Sequence, residues 1–414
     1  MARIVQKYGG TSVGSVEKIN NVANRIQMAV ENGDELIVVT SAMGKSTDQL
    51  VQLAADITDV PSKREMDMLL STGEQVTISL LTMALQQRGL EAISFTGGQA
   101  GMMTEDRHGN ARIKSIETTR IEEQLQAGKV VVVAGFQGVT TDGSITTLGR
   151  GGSDTTAVAL AAATKANRCE IYTDVTGVFT TDPRYVKKAR KLQAISYDEM
   201  LEMANLGAGV LHPRAVEFAK NYEVPLMVAS SMSMETGTMI EEEVSVEKNL
   251  VVRGIAFEND VTKVTVAGLP NHLDTLPKLF SVLSKHGVNV DIIIQNQNDQ
   301  HVNISFSITQ CSLKETVACL EQAKQELNYE SLYHEGELAK VSIVGSGMIS
   351  NPGVAARMFE ALAENDIFIK MVSTSEIKVS AVVAEDDMVM AVEALHDTFR
   401  LDEVLEDEQV KQLA

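Results

Sequence analysis

Over its first 245 residues the chain alternates short, β-branched apolar runs with longer stretches of helical periodicity, and nothing else in it restricts the fold as much. Strands are expected at residues 3–8, 35–41, 92–95, 129–136, 168–174 and 224–230. Helices are expected between them, among others at 16–30, 64–88, 116–127 and 153–166. Such alternation argues for an α/β fold with an open, mostly parallel sheet covered on both faces. Ligands of such sheets bind in loops at the carboxyl ends of strands. Chemistry is therefore expected just after each run.

The most informative of these loops is Thr146–Ala157, T-T-L-G-R-G-G-S-D-T-T-A, between the apolar run Val130–Ala134 and the helix-prone Val158–Ala163. Its glycines let the backbone approach a ligand closely, and the helix start behind them offers N–H groups to an anion. Arg150 can grip a carboxylate or phosphate with two parallel bonds. Asp154, four residues on, carries the opposite sign, which a loop built for phosphate alone does not need. Both signs together suit a zwitterion beside a phosphate: an amino acid beside a nucleotide. The competing reading is a capping aspartate and a surface arginine.

Four other loops join it. Lys7-Tyr8-Gly9-Gly10-Thr11-Ser12-Val13-Gly14 lacks the G-x-G-x-x-G spacing of a dinucleotide fingerprint. Lys7 stands near the end of a buried strand and is expected to face an anion, because a lone buried ammonium is costly. Gly44-Lys45-Ser46 imitates the end of a P-loop, but Val39 stands where that motif needs its first glycine. Ser41 and Thr47 supply hydroxyls there, for a ligand or for helix capping. Ser71 and Glu74 fit a capping box, S-x-x-E, or else Glu74 is the partner of a substrate ammonium. Tyr172–Arg184 follows a strand that reads as an edge, and its turn formers, hydroxyls and aspartates suit a nucleotide loop or a solvated one. His212, before Pro213, reads as a structural or capping histidine.

Composition narrows the partners. The 414 residues suggest two or three domains, and 44% apolar residues can build a sizeable core. The formal charge of −20, from 36 basic and 56 acidic side chains, disfavours nucleic acid and anionic membranes. Only 4% of residues are aromatic and tryptophan is absent, which argues against base-stacking platforms. Cys169, Cys311 and Cys319 form no C-x-x-C pair, suit a reducing cytosol and give no sign of a metal site. No signal peptide or bilayer-length apolar stretch is read, so a cytoplasmic protein is expected.

Residues 230–248 lose periodicity and gain charge, which marks a boundary. Beyond it, self-comparison shows a repeat of about 80 residues. Thr262–Gly268 (T-K-V-T-V-A-G) resembles Ala339–Gly345 (A-K-V-S-I-V-G), and Lys278–Phe280 resembles Arg357–Phe359. Each copy reads strand, helix, strand, strand, helix, strand, the ferredoxin-like order. The expected domains are 1–245, 246–337 and 338–414. Neither copy is dense in catalytic side chains, but the loops Asp291–Asn298 and Gly345–Gly353 could cup a small effector.

Val5–Val13, Ser41–Thr47, Ser71–Gln75, Leu148–Thr155 and Thr173–Arg184, followed by the tandem repeat, together resemble the aspartate kinases over essentially the whole chain. The resemblance implies a three-layer αβα amino-acid kinase fold followed by two ACT domains. It implies transfer of the ATP γ-phosphate to the side-chain carboxylate of L-aspartate, the step that opens lysine, threonine and methionine synthesis. It places Lys7 on the transferred phosphates, Asp154 as organiser of the active site, and Glu74 and Arg150 on the substrate's ammonium and α-carboxylate. Ser41, Thr47, Gly151, Gly152 and Ser153 match further substrate contacts. Tyr8, Gly9, Gly10, Thr173, Asp174, Phe179, Thr180, Thr181, Asp182, Pro183 and Arg184 match the nucleotide site. Effector residues are implied at Asp291, Ile292, Ile293, Ile294 and Gln295, at Asn351, Pro352, Gly353 and Val354, and at Thr374, Ser375, Glu376 and Ile377. Lysine is the expected inhibitor, with threonine as second candidate, since Phe368 stands where threonine-responsive relatives can carry asparagine. A homodimer through the ACT domains is implied, or an α₂β₂ assembly with a shorter subunit started internally near Val246.

The physical chemistry agrees. An aspartate nucleophile is already ionised near neutrality, its pKa being about 4, so no general base is needed. Catalysis then consists of aligning two anions and neutralising the shared oxygens. Lys7, the Gly9–Gly10 and Gly151–Gly152 amides and Mg²⁺ carried with ATP can do this, and no protein metal site is expected. Two other readings are open. A pure amino-acid sensor with a dead kinase half is opposed by the presence of Lys7, Arg150 and Asp154. A kinase for an acylated amino acid is opposed by Glu74, which would have no cation to meet.

Overall fold

The computed structural model describes residues 2–206, 209–242, 251–297 and 301–403 of the chain. Val246 lies outside the described residues. The chain forms two compact units: 1–179, 191–205 and 209–248, and then 180–190, 206–208 and 249–414.

The strands of the first unit are β1 (Arg3–Tyr8), β2 (Glu35–Thr40), β3 (Ala92–Phe95), β4 (Met102–Thr104), β5 (Ile113–Ile116), β6 (Val130–Ala134), β7 (Gln137–Val139), β8 (Ile145–Thr147), β9 (Arg168–Thr173), β10 (Ala194–Ser196), β11 (Leu226–Ser230) and β12 (Thr238–Glu241). Eight of them form one sheet in the order β10-β12-β11-β9-β1-β2-β6-β3. Every pairing in it is parallel except β11 with β12. β9 thus lies inside the sheet between β1 and β11, not at an edge as its sequence suggested. A second sheet, β5-β4-β7-β8, comes from segments too short and polar to stand out in sequence.

The helices of this unit are α1 (Val16–Glu31), α2 (Ser46–Ala55), α3 (Lys63–Leu70), α4 (Thr72–Gln87), α5 (Thr119–Gln126), α6 (Gly152–Ala163), α7 (Tyr197–Asn205) and α8 (Pro213–Asn221). α1 starts where Ser15 accepts from the Lys18 N–H, and it buries Ile19, Val22, Ala23 and Ile26, one stripe of a 3.6-residue period. That stripe packs with Ile78, Leu81 and Leu85 of α4 on Ile4, Leu36, Val38, Val130 and Val132. α6, which is buried almost all round, covers β1, β2 and β9. The three layers follow from these two coverings. α3 and α4, read in sequence as one helix, together pass a length-and-apolarity test for a membrane span, but half of that stretch is buried in the protein.

In the second unit β13 (Gly254–Pro270), β14 (Ile293–Gln297), β15 (His301–Thr309), β16 (Ser331–Val344), β17 (Met371–Thr374) and β18 (Lys378–Ala384) form one antiparallel sheet, ordered β14-β15-β13-β16-β18-β17. Helices α9 (Thr275–Lys285), α10 (Leu313–Gln322) and α11 (Lys324–Leu327) belong to its first half, α12 (Val354–Glu364) and α13 (Met388–Thr398) to its second. The two repeat copies share this sheet. No break falls at residues 337/338, because β16 runs through both copies, and residues 254–258 of β13 pair with the second copy's part of β16.

The packing predicts that Leu81→Ala, at a fully buried position, lowers unfolding free energy by about 2–5 kcal/mol. Met83→Ala, two residues along on the exposed face of α4, is expected to change it by about 0.5 kcal/mol or less. Urea denaturation of the two variants checks this contrast.

Candidate active site

The carboxyl ends of β1, β2 and β6 open onto one cavity of about 790 Å³. Lys7, Gly10, Ser41, Thr47, Glu74, Arg150, Gly151, Gly152, Ser153 and Asp154 all line it. Segments separated by more than a hundred residues thus meet, because a parallel sheet delivers every strand end to the same side.

Lys7 is nearly buried, and its Nζ lies 2.6 Å from Asp154 Oδ1. The anion it faces is therefore a protein carboxylate in the first turn of α6. Desolvating two charges cancels much of their attraction, so such a pair is weak evidence for stability and better evidence for a task. Asp154 is not the cap of α6. That position is Gly151, at φ 67°. A side chain there would strain the backbone and bring Cβ to 2.1 Å from the His212 ring. His212 is itself the N-cap of α8, its Nδ1 accepting from the Arg214 N–H at 3.3 Å, and burial lowers its pKa.

Glu74 answers the question its motif left open. Ser71 adopts helical angles and makes no capping bond; its hydroxyl donates to Met68 O instead. Glu74 Oε1 accepts from the Ala42 N–H at 3.0 Å, while buried Oε2 has no hydrogen-bond partner. Burial raises the Glu74 pKa to about 7 against the opposing pull of backbone N–H groups. A buried carboxylate oxygen without a partner, facing a cavity, is a site for a cation. Arg150 lines the same cavity, exposed and without an ion pair among the described residues.

Gly10 lets the loops after β1 and β2 approach, since a Cβ there would sit 2.8 Å from Ala42 O. The amides expected to meet phosphates are not all available. Gly9 N–H donates to Tyr172 O at 3.1 Å and Gly152 N–H to Gly149 O at 3.0 Å. Tyr8 is also diverted: its ring is fully buried, stacked 4.9 Å from Tyr172, with its hydroxyl donating to Gln6. Only its backbone can face a ligand.

The nucleotide candidates divide between the units. Thr173 ends β9, donating its hydroxyl to exposed Asp174 at 3.0 Å, and Phe179 follows in the same unit. Thr180, Thr181, Asp182, Pro183 and Arg184 belong to the second unit. There Thr180 meets His396 at 3.0 Å, Asp182 pairs with Arg184, and Val186 enters the core of the α12–α13 half.

Within the second unit the effector candidates form two groups. Gly345 N–H donates to Ile377 O, which joins the loop leading to Asn351, Pro352, Gly353 and Val354 with the turn Thr374–Ile377. Asp291–Gln295 lies at the far edge of the sheet. Lys340 Nζ binds Asp291 there at 2.5 Å and Glu258 at 2.8 Å.

Sequence reading missed several cavity residues: Lys63, Asp67, Arg107, His108 and Asn110. Asp67 was hidden inside an amphipathic helix, and residues 107–110 in a polar stretch between weak strands. The only available signal was a charged residue on the buried face of a helix, where charges are rarely found unless paired.

The amino acid kinase family matches residues 2–230, and the ACT domain matches 264–323 and again 341–399. Aspartokinase 2 of Bacillus subtilis is 66% identical over 401 residues, 97% of this chain and 98% of that protein. E. coli aspartokinase III in complex with aspartate and ADP superposes with a TM-score of 0.80 at 27% identity, covering 95% of this chain and 99% of that one. The same enzyme with lysine and aspartate gives 0.75 at 26%, covering 96% and 99%. Identity of this extent along the whole length, on a kinase sheet followed by a duplicated ACT region, places the chain in the aspartokinase family of amino acid kinases.

Proposed function

We propose that the chain transfers the γ-phosphate of ATP to the side-chain carboxylate of L-aspartate, giving 4-phospho-L-aspartate, and is inhibited through its second unit. The observation that carries the reading is the pairing of opposite vacancies in one cavity. Glu74 has an unpartnered buried oxygen, and Arg150 an unpaired guanidinium. An α-amino acid supplies an ammonium to the first and a carboxylate to the second. Its side-chain carboxylate can then point toward Lys7.

Lys7 and Asp154 have different tasks in this reading. Lys7 sits on the phosphate being transferred and follows its charge as the bond to ADP breaks and the bond to aspartate forms. Asp154 holds the ammonium in place when no phosphate is bound, so that little reorganisation is needed. Ser41, Thr47, Ser153 and the Gly10 and Gly151 amides complete the polar lining. A Mg²⁺ carried with ATP would be held largely by the nucleotide's phosphates and one or two carboxylates. Asp154 would be the protein's ligand, and the ion would supply neutralisation of the β- and γ-oxygens. The first unit is the catalytic part, with the nucleotide lying toward Thr173 and Asp174.

The second unit would bind lysine at Asp291 and its neighbours. That carboxylate already holds an alkylammonium, the Lys340 side chain. Threonine lacks this group and is the weaker candidate. Strand β14 is exposed along its whole length, with Ile293 and Ile294 outward, and an unpaired edge of this kind suits pairing with a second copy.

Lys7→Met is expected to lower kcat by at least ~10²-fold, as loss of one preorganised donor does. An ADP-release assay with L-aspartate reads this, and near-normal turnover removes Lys7 from the mechanism. Glu74 gives a pH dependence with a definite sign. With its pKa near 7 in the empty site it is increasingly protonated below that pH and cannot pair with an ammonium. KM for aspartate should rise as pH falls from 8 to 6, and Glu74→Gln should raise KM and flatten the profile. Calorimetric titration with L-lysine should give saturable heat that Asp291→Ala abolishes; no heat with the parent protein excludes lysine as effector.

A further inference from the structure

We infer that His108, held in orientation by Asp67, is a second ligand of the substrate's α-carboxylate beside Arg150, and so sets which acids the site accepts. The inference rests on the aspartate reading of the cavity given above.

Asp67 stands on α3 with its side chain 1% exposed. Its carboxylate accepts the Thr147 hydroxyl at 2.5 Å and the Gly109 N–H at 3.1 and 3.0 Å, and it meets His108 Nδ1 at 2.8 Å. A carboxylate in such a cage accepts only, so Nδ1 of His108 carries a proton. The ring is fixed by one nitrogen and leaves Nε2 for something else. Asp106 Oδ1 lies 4.0 Å from Nε2, on a side chain that is 84% exposed. His108 and Asp67 both line the cavity with Lys7, Glu74 and Arg150.

The position of the loop decides which part of the substrate His108 serves. Residues 109–110 back onto the turn that carries Arg150: an added Cβ on Gly149 would lie 2.9 Å from Asn110 Oδ1 and 3.3 Å from Gly109 O. Arg214 ties the two together, donating to Asn110 Oδ1 at 3.2 Å and to Leu148 O at 2.6 Å. His108 is therefore held with Arg150, on the α-carboxylate side. Charged neighbours on its own loop are Glu105, Asp106, Arg107 and Arg112, with Arg150 and Lys63 lining the same cavity and Arg214 bound to Asn110. Asp67 touches no substrate; it is a positioning residue. Asp67 is the one residue that α3 buries, and four donor contacts converge on its carboxylate, more than a loop that only had to be tethered requires.

The test compares L-aspartate with its α-amide, which keeps the ammonium and the side-chain carboxylate but lacks the α-carboxylate. The affinity ratio between them is measured by calorimetry on one sample of each full-length variant, so partial misfolding cancels. His108→Ala should lower the ratio by about 10-fold or more, through aspartate alone, with kcat and the KM for ATP within about 2-fold of the parent. His108→Gln, which returns a neutral donor near the position of Nε2, should recover part of the ratio, and it carries the test if the alanine variant does not fold. Asp67→Asn should lower the ratio less, and combining it with His108→Ala should add nothing. Equal loss of affinity for both compounds, or an unchanged ratio in both His108 variants, overturns the inference while leaving aspartate as substrate. A parent protein that binds no aspartate overturns both readings.

Discussion

The ion pair between Lys7 and Asp154 is the contact on which the site depends. It joins the carboxyl end of a central strand to the first turn of the helix that covers it, two places distant in sequence and adjacent only because the sheet is parallel. Each charge alone would be costly in so dry a place, so neither residue is tolerable without the other or without a ligand. The strand end, the glycine turn at 149–152 and the start of α6 are held in mutual register by that demand. Hydrophobic burial builds the sheet and its two helical coverings, but it does not choose where a lysine may stop. The pair does, and it holds the Lys7 ammonium at the wall of the cavity.

Much of this was legible in the chain, for reasons that can be traced to particular residues. Buried parallel strands such as Val130–Ala134 are apolar on both faces and therefore visible, and α1 shows its stripe and its Ser15 cap. Lys7, Arg150 and Asp154 were visible because a charge beside glycines at a strand end conflicts with burial. Other features could not be read locally. Glu74 and Ser71 satisfy a capping pattern that the backbone does not form, since Ser71 is already helical. Tyr8 follows Lys7, which lines the cavity, but strand alternation sends its ring into the core. β9 looked like an edge because of its polar ends; Arg168 and Glu170 are paired with each other, and Glu170 also accepts from Gln6 and Tyr172 within the sheet.

The loop after β9, read as a nucleotide loop or a solvated one, divides between the two units. Its hydroxyls and charges suit a nucleotide; in the second unit the Thr180 hydroxyl meets His396 and accepts from the Arg190 N–H, Asp182 pairs with Arg184, and the buried Thr181 hydroxyl has no hydrogen-bond partner among the described residues. Lys188 reaches Asp397 in the same way. Residues 180–190 of this loop belong to the unit that carries the ACT repeats. The repeats themselves were read as consecutive domains. The structure instead runs β16 through both, and the second copy pairs its part of β16 with residues 254–258, which precede the first copy's own pairing of 263–267 with 331–335.

A chain with 20 excess negative charges that gathers two anions into one cavity must do so by local arrangement, because its overall field repels both. The cavity does this by leaving each of its own ions incompletely answered. Glu74 has one oxygen satisfied and one not; Arg150, in the glycine turn, has no ion pair among the described residues; Lys7 is held by the carboxylate of Asp154. Asp67 differs, since its oxygens are fully engaged, and that completeness is what turns His108 from a mobile side chain into a fixed one. The distinction between answered and unanswered charges separates groups that bind from groups that hold binders still. It also explains why no strong general base is found among them: a carboxylate nucleophile arrives ionised, and the work left to the protein is placement.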